Sequence, residues 1–173
     1  MQQFEFVPHD EQEPSQDGVD LTFEVADPNA AEARARYTAA FERNPFAEDD
    51  VFDAFDASLT DRAEDLIDPD ELCTEATSLS VIVGYPFQGN YTVPLSASSP
   101  RGFTRAELFR QIVSVYSAMY AGAEYSPARL RLNTHVESPR FGVAWHRIED
   151  LVLEGATIVQ SGGRTLVWIW IGS

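Results

Sequence analysis

His135 and His146 are the side chains of this 173-residue chain best suited to acid–base work or metal ligation. Glu149 and Asp150 follow His146 closely, and on a helical turn His146 and Asp150 would be i, i+4 neighbours. A histidine beside a carboxylate can move a proton or hold a metal. The pattern goes no further: there is no HExxH and no HxH. A histidine beside a tryptophan, as His146 is beside Trp145, is more often a hydrogen-bonded structural residue. Cys73 is the one cysteine, which excludes an internal disulfide and a Cys-rich zinc site. Its neighbours Asp70, Glu71 and Glu75 disfavour a thiolate, so a reactive nucleophile is not expected there. Ser161-Gly162-Gly163 and the stretch from Gly84 to Gly89 match neither a P-loop nor a dinucleotide fingerprint and read as hairpin turns. No serine stands in a GxSxG elbow. No cofactor and no metal are expected, and an enzyme is the less favoured reading.

Two segments have the composition of recognition motifs. Asn44-Pro45-Phe46 resembles the tripeptide that adaptor EH domains bind, although Asn-Pro between helices is also an ordinary turn. The stretch AEDDVFDAFDASLTDRAEDLI interleaves Phe, Leu and Ile with Asp and Glu. It resembles acidic-hydrophobic segments that fold as helices on a basic groove. Val51, Phe52, Phe55 and Leu59 would form one stripe of a helix over about 48–58, facing either a partner or the chain's own core.

The charge is divided unevenly along the chain. Residues 1–76 hold 22 of the 28 acids and four of the 12 arginines, a net −18; residues 77–173 carry +2. There is no lysine. A net charge of −16 opposes direct nucleic-acid binding and anionic membranes, and favours a basic protein as partner. No apolar run approaches the ~20 residues that span a bilayer. The start MQQFEFVPHDEQEP lacks the basic and apolar regions of a signal peptide, so a cytoplasmic or nuclear setting, not secretion, is expected.

The elements follow from local signals. Phe4 and Phe6, then Leu21, Phe23 and Val25, alternate with polar residues and predict two short strands, as in a long-looped hairpin across residues 8–19. Asp27-Pro28 predicts a helix start, running to about Arg43 before Asn44-Pro45 stops it. Strands are expected at about 79–86 and through YTVPLSA, where Pro94 demands an edge or a bulge. Thr104 and Glu107 form a capping box, and Phe103 and Leu108 a hydrophobic staple, for a helix over 105–121. Its broad apolar face predicts packing across a sheet. ARLRLNTHV reads as a strand with one wet face. LVLEGATIVQ and RTLVWIWIG predict a hairpin whose last strand, apolar on both faces, is central or has one binding face.

The expected fold is α+β, a mixed or antiparallel sheet covered by one long helix. Over about residues 79–172 the strand–strand–helix–strand–strand order resembles the ubiquitin-like β-grasp, in which one helix lies across a mixed sheet and the last strand is central. Two regions are expected: an acidic, partly helical part at 1–76, docked on or extending from a core at 77–173. Arg129, Arg131, Arg140 and Arg147 are expected to face the acidic part, with the apolar stripe contributing most of the docking. The leading functional expectation is a non-enzymatic interaction or structural component that engages a basic partner through its acidic surface. The alternatives are a small enzyme or ligand-binding domain centred on His146, and a self-assembling component that uses the C-terminal apolar strand.

Overall fold

An amphipathic helix and a half-apolar sheet each need a surface to cover, and here they cover each other. The computed structural model describes residues 4–9, 18–32, 35, 54–87, 89–122 and 146–173. Among these, the strands in chain order are β1 (Val7–His9), β2 (Val19–Leu21), β3 (Glu24–Ala26), β4 (Ala54–Ser58), β5 (Leu72–Thr74), β6 (Ser78–Val83), β7 (Asn90–Ser96), β8 (Phe103–Thr104), β9 (Val152–Ser161) and β10 (Arg164–Gly172). One main helix, α1 (Arg105–Gly122), lies between β8 and β9 in the chain. The fold is mixed α+β: an eight-stranded sheet in the order β1-β7-β6-β10-β9-β4-β3, with β2 also on β9, and a two-stranded β5–β8 ladder. Among the described residues no helix is long and apolar enough to cross a membrane.

The start of α1 is set locally. Thr104 Oγ1 accepts from the Glu107 N–H at 3.2 Å, the cap that the Thr-x-x-Glu spacing predicts. The reciprocal arm of the box is redirected. The Glu107 carboxylate, only 8% exposed as a residue, accepts from the Ser98 N–H at 2.6 Å and so fastens the loop after β7 to the helix. Leu108, Ile112, Val115 and Met119 are fully buried, as the 3.6-residue period requires, with Phe109 and Tyr116 beside them.

β9 and β10 are joined by Gly162-Gly163, with φ of 56° and 75°. Positive φ at both positions is what a two-residue type I′ loop requires. β10 is central: it runs parallel to β6 (Trp168 opposite Ile82) and antiparallel to β9. Both its faces are covered. Val167 and Ile169 join the main cluster with α1, while Leu166 and Trp168 pack with Ile82 in a second one. Pro94 lies on the part of β7 that pairs with β6 alone, beyond the three residues that β1 covers.

The acidic part is built into the same sheet. β1 pairs with β7, whereas β2 and β4 pair with β9. Phe23, Ala57, Leu59, Ala63 and Leu66 belong to the buried cluster that holds Leu108, Phe109 and Ile112, and the Phe23 ring lies 6.1 Å from that of Phe109. Two of the helix N-terminal N–H groups that α1 cannot satisfy itself are taken by this part: Arg105 donates to the Glu71 carbonyl at 2.8 Å and Ala106 to the Pro69 carbonyl at 2.9 Å.

Several local expectations need correcting. β1 and β2 are not a hairpin, because they pair with strands on different sides of the sheet. Phe4 and Phe6 precede β1 and pack against the core rather than forming a strand. The strand expected through Leu21, Phe23 and Val25 is two strands, broken where Phe23 turns into the core. Residues 54–58, expected as the end of a helix, form β4. Phe55 and Leu59 fit the helical stripe, but with Ala57 they also fit a period of two, and pairing with both β3 and β9 decides for the strand. At Asp27-Pro28, Asp27 Oδ1 accepts from the Asn29 N–H at 2.8 Å and residues 30–32 are helical. Ala35 is helical too, while the rest of the continuation toward Arg43 and the strand expected at ARLRLNTHV lie outside the described residues.

Candidate functional site

Two surfaces carry side chains suited to recognition. The first is the segment from Ala54 to Ala76, with eight acids and one arginine. Its strands β4 and β5 and the 3-10 turn Ala63–Asp65 are anchored inward by Ala57, Leu59, Ala63 and Leu66. The anchoring turns the carboxylates outward: Asp56, Glu64, Asp65, Asp68, Asp70, Glu71 and Glu75 are exposed. Apolar side chains stand among them. Phe55 is 50% exposed, and Ile67 and Leu72 are also exposed. Phe55 is opposite Val25, which is bridged on its other side to Leu66, and the Ile67 N–H donates to the Glu24 carbonyl. Phe55 and Ile67 therefore stand on connected backbone, whereas Leu72 stands on the separate β5–β8 ladder.

This segment is tied to α1 by arginines. The Arg105 side chain, 14% exposed, donates to both the Thr22 carbonyl and the Glu71 carboxylate. Arg110 reaches Glu64 at 3.1 Å on an open surface. Arg62 lies 3.8 Å from Glu64 and 3.9 Å from Asp65. The expectation that Arg129, Arg131, Arg140 and Arg147 would face the acidic part falls mostly outside the described residues, where the first three lie. Cys73 sits beside the Arg105 clamp. Burial pushes its thiol up to about 11, the Arg105 charge pulls it back and Glu71 adds a smaller push. Burial, rather than the acidic neighbours noted in the sequence, is the main push on this thiol.

The second surface centres on His146. The Tyr85 hydroxyl lies 2.7 Å from His146 Nε2 and 2.9 Å from Ser173 Oγ, and the Tyr85 and His146 rings lie 5.4 Å apart, tilted by 52°. Helix α1 positions both partners from below. Tyr116 donates to the Tyr85 carbonyl at 2.9 Å and Tyr120 to the His146 carbonyl at 3.1 Å. Phe87 fills the space between these tyrosines, 5.5 Å from each ring. Burial, followed by the charges of Asp150, Tyr85 and Glu149, pushes the Tyr120 hydroxyl up to about 12; burial, then Tyr120, pushes Tyr116 higher still. Tyr120 thus stays neutral and donates. The chain Ser173–Tyr85–His146 can pass a proton along consecutive hydrogen bonds, and the exposed Tyr85 ring can stack on a ligand.

His146 and Asp150 do not form the helical pair that their spacing allows. The helical turn is the short 3-10 segment Ile148–Asp150, and the Asp150 carboxylate accepts from the Arg147 N–H at 2.9 Å. Glu149 is exposed beside it. Leu59 is buried, whereas Phe55 faces outward. His135, Val51, Phe52 and the Asn44-Pro45-Phe46 tripeptide lie outside the described residues. Sequence reasoning missed Tyr85 and Ser173, because nothing local marks residues 61 and 88 positions apart as partners. Among the described residues no group of three or more His, Cys, Asp or Glu side chains is placed to hold a metal.

The chain matches no family model, no curated protein and no solved structure.

Proposed function

We propose that the protein is a non-enzymatic interaction or structural component whose acidic surface, centred on residues 54–76, engages a basic partner protein. One observation carries this reading: along one segment, anchored by buried side chains, exposed carboxylates are interspersed with the exposed apolar residues Phe55, Ile67 and Leu72. Apolar contacts supply affinity and the carboxylates supply steering and choice of partner. The outer ion pairs of Glu64 with Arg62 and Arg110 are open to solvent, so a partner's arginines can replace them at little cost. Affinity capture with the wild-type chain and with a variant carrying Asp65→Asn, Asp68→Asn, Asp70→Asn and Glu75→Gln tests it. Basic proteins held by the wild type and lost by the variant support the reading, while equal retention on both overturns it.

Two finer readings belong to the same proposal. The parallel pairing of β10 with β6, and α1 between β8 and β9 in the chain, support a β-grasp-like arrangement of the second half. The proposal keeps a cytoplasmic or nuclear setting, since secreted domains more often carry paired cysteines and this chain has one. Self-assembly through the C-terminal strand is the weakest alternative, because both ladder edges of β10 are occupied and only Trp170 on it is an exposed large apolar residue.

A second reading, a small ligand-binding or catalytic site at His146, is favoured by the Ser173–Tyr85–His146 hydrogen-bond chain. Its test is the Tyr85 and His146 ring resonances during titration with small organic cations and anions. A saturable shift of the Tyr85 ring that is lost in His146→Gln supports the reading, and no shift with any probe removes it.

A further inference from the structure

The exposed part of the His146 cluster has a definite chemical character. Tyr85 is 45% exposed, although its hydroxyl is held on both sides and its carbonyl is fastened by Tyr116. The ring is therefore a fixed platform rather than a swinging side chain. Tyr120 and His146 are partly exposed beside it. The next turn of chain presents the carboxylates of Glu149 and Asp150, both exposed. Asp150 is oriented by the Arg147 N–H, whereas the Glu149 side chain projects from the same 3-10 turn. Aromatic faces attract cations through their quadrupole, and a planar guanidinium can stack on a ring while its edge meets a carboxylate. An anion would meet two carboxylates there, and a neutral apolar group would leave them desolvated.

We propose that Tyr85, Tyr120 and His146, with Glu149 and Asp150, form a recognition site for one arginine side chain, the guanidinium stacking on the Tyr85 ring and pairing with Glu149. This rests on the ligand-binding form of the second reading and is independent of the acidic surface. Arg105, at the clamp to the acidic segment, and Tyr120 stand about 22 Å apart along α1 at the ordinary helical rise. The arrangement binds a guanidinium; it moves no proton and makes no covalent bond. Arg147 is exposed on the same turn, and its charge opposes the incoming cation.

The experiment is an NMR titration of the full chain with N-acetyl-arginine amide, followed at the ring resonances of His146 and the tyrosines. Tetramethylammonium, acetate and inorganic phosphate are parallel probes. Saturable millimolar binding of the arginine amide is expected, weakened about threefold by Glu149→Gln, the size of one exposed ion pair. Tyr85→Phe keeps the ring face but frees it from His146 and Ser173 and is expected to lose about twofold, whereas Tyr85→Ala is expected to lose about fivefold or more. Arg147→Gln is expected to tighten binding. Tetramethylammonium binding as well as the arginine amide would assign the site to cations in general and overturn the guanidinium assignment. Binding of acetate or phosphate alone would overturn the inference while leaving a His146 site standing. Should Tyr85→Ala fail to fold, the exposed Glu149→Gln decides, and an unchanged affinity in that variant refutes the pairing.

Discussion

Replacing Phe23 by alanine should destabilise the whole molecule, although Phe23 lies in the acidic part. The residue is fully buried, its ring is 6.1 Å from Phe109 on α1, and its carbonyl accepts from the Ala57 N–H at 2.7 Å. Truncating a fully buried phenylalanine removes its transfer free energy and leaves a cavity, a cost of about 3–5 kcal/mol. With a urea m-value of about 2 kcal/mol per molar, the midpoint should fall by about 2 M. The readout comes from the other end of the chain: all three tryptophans, Trp145, Trp168 and Trp170, lie in the second half. If both halves share one core, tryptophan fluorescence and circular dichroism should move together in a single transition, shifted as far as by Phe109→Ala. A shift below about 0.5 M in the fluorescence transition, with a separate early loss of far-ultraviolet signal, would mean that the acidic part folds on its own and that the reasoning is wrong.

Further outcomes follow from individual contacts. Arg105→Met removes the donor to Thr22 and Glu71 from a site that is mostly buried and should cost about 1–3 kcal/mol, while Arg110→Ala on the open surface should cost less than about 1 kcal/mol; urea denaturation of both variants checks the ranking. High salt should accordingly leave the acidic part protected from proteolysis, since buried apolar contacts hold it in place. With its thiol pushed up to about 11, Cys73 should alkylate about a hundredfold more slowly at pH 8 than in the unfolded chain, as timed with iodoacetamide. The folded-state values of Cys73 and Tyr120 are both raised, so the stability they contribute is complete below about pH 9 and is lost as pH rises through about 11 and then about 12; alkaline denaturation midpoints should show that sign. Gly102→Ala should destabilise by about 2 kcal/mol or more, because φ is 105° and a Cβ would come within 2.0 Å of the Thr74 carbonyl oxygen; Gly163→Asn, in an open turn at φ 75°, should be nearly neutral in thermal melts.

The legible parts of the fold were those whose cause is local. Thr104 caps α1 because the acceptor and the N–H it serves are three residues apart. Gly162-Gly163 turns the last hairpin because only that backbone suits the loop, and a strand with Leu166, Trp168 and Val167, Ile169 on opposite faces could be satisfied only in the middle of a sheet. The parts that were missed are non-local. Val7 pairs with Thr92 and Val19 with Ile158, and no pattern within residues 1–76 announces those partners. Glu107 could have reached back to its own cap, but an unpaired N–H at Ser98 was a better donor. The segment around Phe55 fits two periods, and the strands on either side of it chose between them. The His146 site was half legible: the histidine and Glu149 are three positions apart in sequence, whereas Tyr85, which organises the cluster, is brought there by the fold.

The proposed function rests most directly on whether the carboxylate layer of residues 54–76 selects a basic partner. Isothermal titration of a basic amphipathic helical peptide into the wild-type chain, and into the Asp65→Asn, Asp68→Asn, Asp70→Asn, Glu75→Gln variant, decides it. The wild type should bind saturably at ~50 mM salt and lose most of that affinity at ~500 mM, where the Debye length is only a few ångströms. The variant should bind at least about tenfold more weakly, four lost charges contributing a few tenths of a kcal/mol or more each. Equal affinity for both chains, or binding that salt leaves unchanged, would contradict the account.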